Sequence, residues 1–309
     1  MTMKAIMYHY IRPKVSGFPF FRFLHIEHFL QQLNWLGANY GFVSREQFTK
    51  ALRDKQPCNG VILTFDDGFS DHFHHVFPIL KARGLWGIFF IPTRVFGNTK
   101  LLDVHRIHLV IGKLGGIRAI ELLENLIEEK MLTHQYIEDF KRKTYRRQDN
   151  DAATNRFKRT LNYFIAYEWR ESVLDRLVDT TFNGNFPKAP EFYLTPSQTK
   201  ELHDHGMMIG SHSVNHFVFS KLDKEQQQRE IQESFTSLEN IVGEKIFSFC
   251  YPYGGFHTFT SETENLLSQQ GAQFSFNVEA RDITANDLQN RPQALPRYDC
   301  NAFPFGQAS

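Results

Sequence analysis

Apolar positions recur along this chain in two alternating rhythms. Short runs such as Ala5–Ile11, Val61–Phe65 and Leu85–Ile91 are almost continuously apolar and rich in β-branched or aromatic residues. That is the pattern of strands buried on both faces. Between them, apolar residues spaced three or four apart predict amphipathic helices over Ile26–Leu36 and Phe69–Arg83. A third helix, running towards Leu52, is opened by the capping box Ser44/Gln47. The alternation of strand and helix with short links predicts a parallel sheet or barrel.

The rhythm changes at about Gly97. From Leu101 to Phe182 the segments read as long polar helices, among them Ile117–Met131, Gln135–Tyr145 and Asn155–Leu177. We therefore expect one domain spanning 1–309 that carries a helical insertion over 97–190. Alternation then resumes. Helices are expected at Thr195–His205, Lys224–Val242 and Thr258–Gln270, and strands at Met207–Ser211, Ile246–Tyr251, Gln273–Asn277 and Ala294–Tyr298.

With 309 residues, 41% hydrophobic and 22% charged, the chain can bury a sizeable core. A net charge of +1 gives no global field towards nucleic acid or an acidic membrane, so neither is expected as a partner. Three cysteines without paired spacing suit a reducing compartment. No run approaches 18 apolar residues and no signal-like segment opens the chain, which points to a cytoplasmic protein without a membrane span. The basic cluster Lys141, Arg142, Lys143, Arg146 and Arg147 reads first as a solvated helix face and otherwise as a phosphate contact.

Three stretches carry chemistry. Leu63-Thr64-Phe65-Asp66-Asp67-Gly68 places two adjacent carboxylates at a strand exit, where Gly68 lets the backbone turn and both aspartates face one cleft. They repel each other and are costly to bury, and a cation between them and other ligands would offset this. The bland alternative is a solvated turn capping the next helix. His212-Ser213-Val214-Asn215-His216 follows the Met207–Ser211 strand, and two histidines four apart on one side of a helical turn can share a cation. Phe249-Cys250-Tyr251-Pro252-Tyr253-Gly254-Gly255 ends a strand in a loop whose N–H groups can point into a cleft.

Taken in this order, the three stretches resemble the polysaccharide deacetylases of the NodB-homology carbohydrate esterase group. Those proteins carry Thr-Phe-Asp-Asp-Gly, His-Ser-x-x-His and a Pro-Tyr-Gly loop. The resemblance covers about 59–93 and 192–280, extends to Tyr8-His9, and leaves out the insertion. It implies a deformed (β/α) barrel with its site at the strand C-termini. It also implies that Asp67, His212 and His216 bind a divalent metal, zinc first, with cobalt and nickel also suited to two histidines and an aspartate. Asp66 would be the general base, the Tyr253 backbone N–H would hold the oxyanion, and Tyr251 and Pro252 would meet substrate.

Two departures from the family pattern matter. The arginine that often precedes the Pro-Tyr-Gly loop is replaced by Cys250-Tyr251, and Arg297 is the candidate substitute. The late Leu-x-x-His motif is absent. His9 is the candidate general acid, with His105 and His108 of the insertion behind it as acid or substrate contacts. Cys250 has no recognisable base partner and is set aside as a nucleophile. The expected activity is metal-dependent hydrolysis of an acetamido group on an amino sugar, carried by an intracellular nucleotide-linked or lipid-linked precursor of a surface polysaccharide. An amide hydrolase acting on a non-sugar, or a catalytically silent sugar-binding homologue, are the alternatives.

Overall fold

The computed structural model describes residues 2–133, 137–145, 148 and 150–308. They fall into two compact units: 1–13, 23–99 and 189–309 form the first, 14–22 and 100–188 the second. The Pro- and Phe-rich loop after the first strand thus belongs largely with the helical unit, which its sequence did not signal.

The first unit is built on seven strands: β1 (Met3–Tyr8), β2 (Gly60–Phe65), β3 (Ile88–Ile91), β4 (Met208–Ser211), β5 (Ser248–Cys250), β6 (Phe274–Phe276) and β7 (Tyr298–Asp299). Their order is β6-β5-β4-β3-β2-β1-β7 and every pairing is parallel. The longest ladder runs from Met3 opposite Gly60 to Tyr8 opposite Phe65. All of β2 and β3 is buried, which explains their unbroken apolar sequence: each face must meet a layer of side chains. Alternate residues accordingly enter two clusters. Leu63, Phe65, Phe89 and Ile91 join Phe29, Leu33, Phe235 and Leu238 of the covering helices. Ile62, Ile88, Phe90 and Phe276 join the opposite layer.

The two outer edges meet through one short segment. Leu295 donates its N–H to Ser275 (2.8 Å) and accepts from Asn277 (2.9 Å), and three residues later Tyr298 pairs with Ile6. The sheet therefore closes irregularly, through Leu295–Asp299, into a deformed (β/α) barrel.

In this first unit the elements lie close to where the pattern placed them, with three local differences. The Phe69–Arg83 helix contains a wide π turn at His72–Val76 before the α-helix Phe77–Ala82. Pro78 has no N–H to return to the carbonyl four residues back, so the regular ladder cannot run through. The strand expected at Ala294–Tyr298 is shorter, and a 3₁₀ turn occupies Pro292–Ala294. The third difference, at His212–His216, concerns the site.

The second unit is helical. Asp103–Glu124 packs against Ala152–Arg159 and Tyr167–Phe182. A Cβ at Gly116 would stand 2.2 Å from Thr154 Oγ1, so only glycine permits that approach. Ile117–Met131 is not one helix. The first helix starts earlier, breaks at Gly115 (φ 73°), ends at Glu124, and leaves a separate turn at Glu129–Met131. Asn155–Leu177 is likewise interrupted, because Ile165 is extended and its neighbours bond across to Met131 and Thr133. Of Gln135–Tyr145, helix is described over Ile137–Lys143. Its Lys141, Arg142 and Lys143 pair with Glu138 and Asp139 on an exposed helix face, as the first of the two readings expects. Arg146 and Arg147 lie outside the described residues. Among the described residues no helix is long and apolar enough to cross a membrane.

Candidate active site

Four loops at the C-terminal side of the sheet, after β1, β2, β4 and β5, and the segment that enters β7 bring chemistry together. β2 ends at Phe65, and Asp66 keeps the register by donating its N–H to Tyr8 O (2.9 Å). Asp67 then adopts the left-handed region (φ 74°), followed by Gly68 (φ 60°). The expectation credited Gly68 with the turn, but Asp67 makes it first, a conformation aspartate tolerates better than most residues. Two neighbours that would point to opposite faces of a strand are thereby both buried at one centre, 2% and 4% exposed.

Asp66 is held by Arg297. The guanidinium donates from Nη1 to Oδ1 and from Nη2 to Oδ2, both 2.8 Å. Nη1 also reaches Thr64 Oγ1 (3.0 Å), Nε reaches Asn277 O (3.1 Å) and Nη2 reaches Cys250 Sγ (2.9 Å). Phe90 and Phe276 flank the cation. Burial alone would push the Asp66 carboxyl up, but the charge and hydrogen bonds of Arg297 outweigh it and hold the group at about 2. Cys250 belongs to the Cys250-Tyr251 pair where the resemblance led us to expect an arginine, and Arg297, from the segment that enters β7, reaches the Asp66 carboxylate and the Cys250 sulfur together. Burial pushes the Cys250 thiol up, so it remains a neutral donor to Asp66 Oδ2 (3.4 Å).

His212 and His216 do not lie on a helical turn. After β4 the chain forms an irregular loop with Ser213 (φ 66°) and His216 (φ 56°) both left-handed. This loop still points both rings at Asp67: Nε2 of His212 lies 3.4 Å from Asp67 Oδ1, and Nε2 of His216 lies 3.3 Å from it. His212 Nδ1 is 2.7 Å from Cys250 O, a bond that fixes the proton on Nδ1 and leaves Nε2 as the ligand atom.

These three donors fit a divalent cation. Their ligand atoms lie within 4.8 Å of one another and all three residues are buried. Tetrahedral ligands around an ion with bonds of about 2.0–2.1 Å stand about 3.3 Å apart. The observed 3.3 and 3.4 Å match that edge and exceed an ordinary N–H···O bond. A second set, Asp66, His212 and Cys250, is equally compact, but the Arg297 guanidinium bonded to two of its members excludes a cation there.

His9 follows β1, is partly exposed, and places Nε2 3.9 Å from Asp67 Oδ2. His72 Nε2 bonds His9 O at 2.9 Å, and burial lowers the His72 pKa to about 4, so it is the neutral donor of that bond. Sequence reasoning missed His72; the only signal was a histidine on the buried side of the helix after Gly68. Tyr253, in the loop after β5, is left-handed (φ 63°), and its ring lies 5.0 Å from that of His216.

Three expected substrate contacts are corrected. Tyr251 is 1% exposed, stacks on Phe259 at 3.7 Å and donates its hydroxyl to Gln293 O, so it is a core ring. His105 is fully buried inside the helical unit and cannot meet a ligand there. Pro252 is also buried and is set aside with them, whereas His108, on the same helix as His105, is partly exposed.

A family model described as polysaccharide deacetylase matches residues 53–275. The provisionally named polysaccharide deacetylase YxkH of Bacillus subtilis (strain 168) is 30% identical over 87 residues, which is 28% of this chain and 30% of that protein. The match thus spans under a third of the curated relative. Among solved structures, the Streptococcus pyogenes deacetylase PplD in complex with acetate superposes with a TM-score of 0.59 at 17% identity, covering 97% of this chain and 92% of that one. IcaB from Ammonifex degensii gives 0.55 at 18% identity, covering 96% and 91%. A de-N-acetylase from Aggregatibacter actinomycetemcomitans also gives 0.55, at 16% identity, covering 96% and 94%. At these identities the superpositions speak for the barrel. With the family match over most of the sequence and the acid-histidine centre at the strand ends, the chain belongs to the polysaccharide deacetylase family, carbohydrate esterases that hydrolyse acetyl groups from their substrates.

Proposed function

We propose that this chain is a metal-dependent N-deacetylase that hydrolyses the acetamido group of an amino sugar. The observation that carries the reading is the convergence of Asp67, His212 and His216 on one point beside a carboxylate that Arg297 keeps ionised. In this reading the three residues hold the cation, zinc by preference, with cobalt or nickel suited to the same donors. A divalent cation there supplies Lewis acidity towards the acetamide carbonyl and acidifies water beside Asp66. Asp66 is the base: it stays ionised through the neutral range and, clamped in one orientation, takes up the proton of the attacking water. The Tyr253 N–H donates to the developing oxyanion. His9, on the partly exposed side of Asp67, returns a proton to the departing nitrogen, and His72 fixes its backbone. Acetate and a free amine result.

We extend the reading to a phosphate-bearing carrier, a nucleotide-linked or lipid-linked sugar handled inside the cell. Such a carrier presents a diphosphate beside the sugar, so the free and the diphosphate-linked forms of one sugar discriminate it.

The test is acetate release from acetylated amino sugars by the zinc-loaded chain, free and diphosphate-linked forms side by side. Release from the linked sugar is expected, with Asp66→Asn slower by 10²–10⁴-fold. No release from either defeats the enzyme assignment. Equal turnover of the two defeats the carrier, and full activity of Asp66→Asn defeats the base.

A further inference from the structure

The His212–His216 loop has no regular hydrogen-bonding pattern of its own, yet both its histidines must face one point. On one side it is tied to the barrel, where Thr93 N–H donates to Ser213 O (3.0 Å) and Arg94 N–H to Val214 O (3.1 Å). On the other side stands a single carboxylate, Glu230, from the helix Lys224–Val242. Glu230 Oε2 accepts the backbone N–H groups of Val214 (2.9 Å) and Asn215 (2.8 Å), while Oε1 accepts Asn215 Nδ2 at 2.5 Å. Two of the three residues between the histidines, Val214 and Asn215, therefore lean on one side chain, itself only 7% exposed.

The arrangement has a clear physical logic. Ser213 and His216 both sit in the left-handed region, which is strained for any residue with a Cβ. A loop holding two such residues relaxes unless its surroundings over-determine it. Charge-assisted bonds from a buried carboxylate to consecutive N–H groups are among the stronger ones available. Glu230 touches neither imidazole nor Asp67 by any bond described, so its effect on them passes through the loop backbone.

We infer that Glu230 is the positioning residue of the metal loop, setting cation affinity by holding Val214 and Asn215 so that His212 and His216 face Asp67. This rests on the metal reading above and adds to it the element that pre-arranges the ligands. Removing a partner that orients metal ligands costs about 10–100-fold in affinity. Glutamine retains the shape and one oxygen for the two backbone N–H groups. Its amide nitrogen then opposes Asn215 Nδ2, which can turn over only by giving up the 3.3 Å bond its Oδ1 accepts from Arg94. Glu230→Gln is therefore intermediate.

The experiment measures zinc affinity of the full chain by competition with a chromophoric chelator, alongside melting of the metal-free protein. The expected order is parent, then Glu230→Gln weaker by threefold or more, then Glu230→Ala weaker by 10–100-fold, with turnover restored in both at saturating zinc. An alanine variant that binds zinc within threefold of the parent overturns the inference, even if it melts earlier, because a purely structural role would lower melting alone. If the alanine variant fails to fold, the glutamine variant decides by the same threefold limit. A parent that takes up no zinc defeats the metal reading itself. A parent that binds zinc no better than its variants defeats only the role of Glu230.

Discussion

Arg297 and Asp66 face each other through two parallel 2.8 Å hydrogen bonds across 231 residues of sequence, both side chains nearly sealed from solvent. Removing one partner leaves an uncompensated charge in the interior, which costs about 3–5 kcal/mol. Arg297→Met should lose that much in urea unfolding and most of its turnover. The double variant Arg297→Met/Asp66→Asn should regain part of the stability but none of the activity. Strict additivity of the two changes in unfolding free energy would show that the pair is not coupled.

His72 gives the fold a specific acid sensitivity. Its pKa is about 4 in the folded chain against an ordinary 6.5, because burial disfavours the charged ring. Between these values the unfolded chain binds the proton and the folded one does not, so stability is complete above about pH 6.5 and falls as pH drops towards 4. The shift corresponds to about 3 kcal/mol. Urea unfolding from pH 7 to 4 should show this slope in the parent and a shallower one in His72→Phe. Identical slopes would remove His72 as its source.

Gly68 is needed for more than its backbone angle. Its φ is 60°, and a Cβ there would lie 2.9 Å from Ile91 Cγ2, whereas Gly206 (φ 85°) opens onto free space. Both Gly→Ala changes carry about 1–2 kcal/mol of left-handed strain. Gly68→Ala alone should add crowding beneath Asp67. It should melt below Gly206→Ala and lose turnover, which Gly206→Ala keeps; equal melting of the two would contradict this.

Cys250 should behave as packing. It is fully buried and its pKa is pushed up by burial, so little thiolate forms near neutrality. Excess iodoacetamide at pH 8 should leave the Cys250 peptide unmodified in the native protein and label it in urea, as read by mass spectrometry. Cys250→Ser should retain turnover within about tenfold, since the hydroxyl keeps a donor towards Asp66. Rapid native labelling with loss of activity would return the thiol to consideration as a nucleophile.

Much of the barrel was legible because its signals are local. An apolar run bounded by glycine marks β2, and Ser44 with Gln47 does form both reciprocal bonds of a capping box. The helix Lys224–Val242 runs from an Asp223 capping box to a left-handed Gly243. The site was legible in which stretches stand at strand ends, and obscure in how their backbones turn. Nothing in Asp67 or in Ser213–His216 announces a left-handed residue, because tertiary contacts impose it. Helical spacing therefore suggested a turn that does not exist. Glu230 was missed for a related reason. It lies on the same buried stripe as Gln227, Ile231 and Ser234, and a lone carboxylate on such a stripe signals a partner only once the partner's position is known.

The closing segment Leu295–Asp299 also bears on how the molecule comes into being. It carries the countercharge for a carboxylate that β2 delivers more than two hundred residues earlier. Until that segment is docked, Asp66 has no countercharge, and burying its carboxylate would leave an unpaired charge in the barrel.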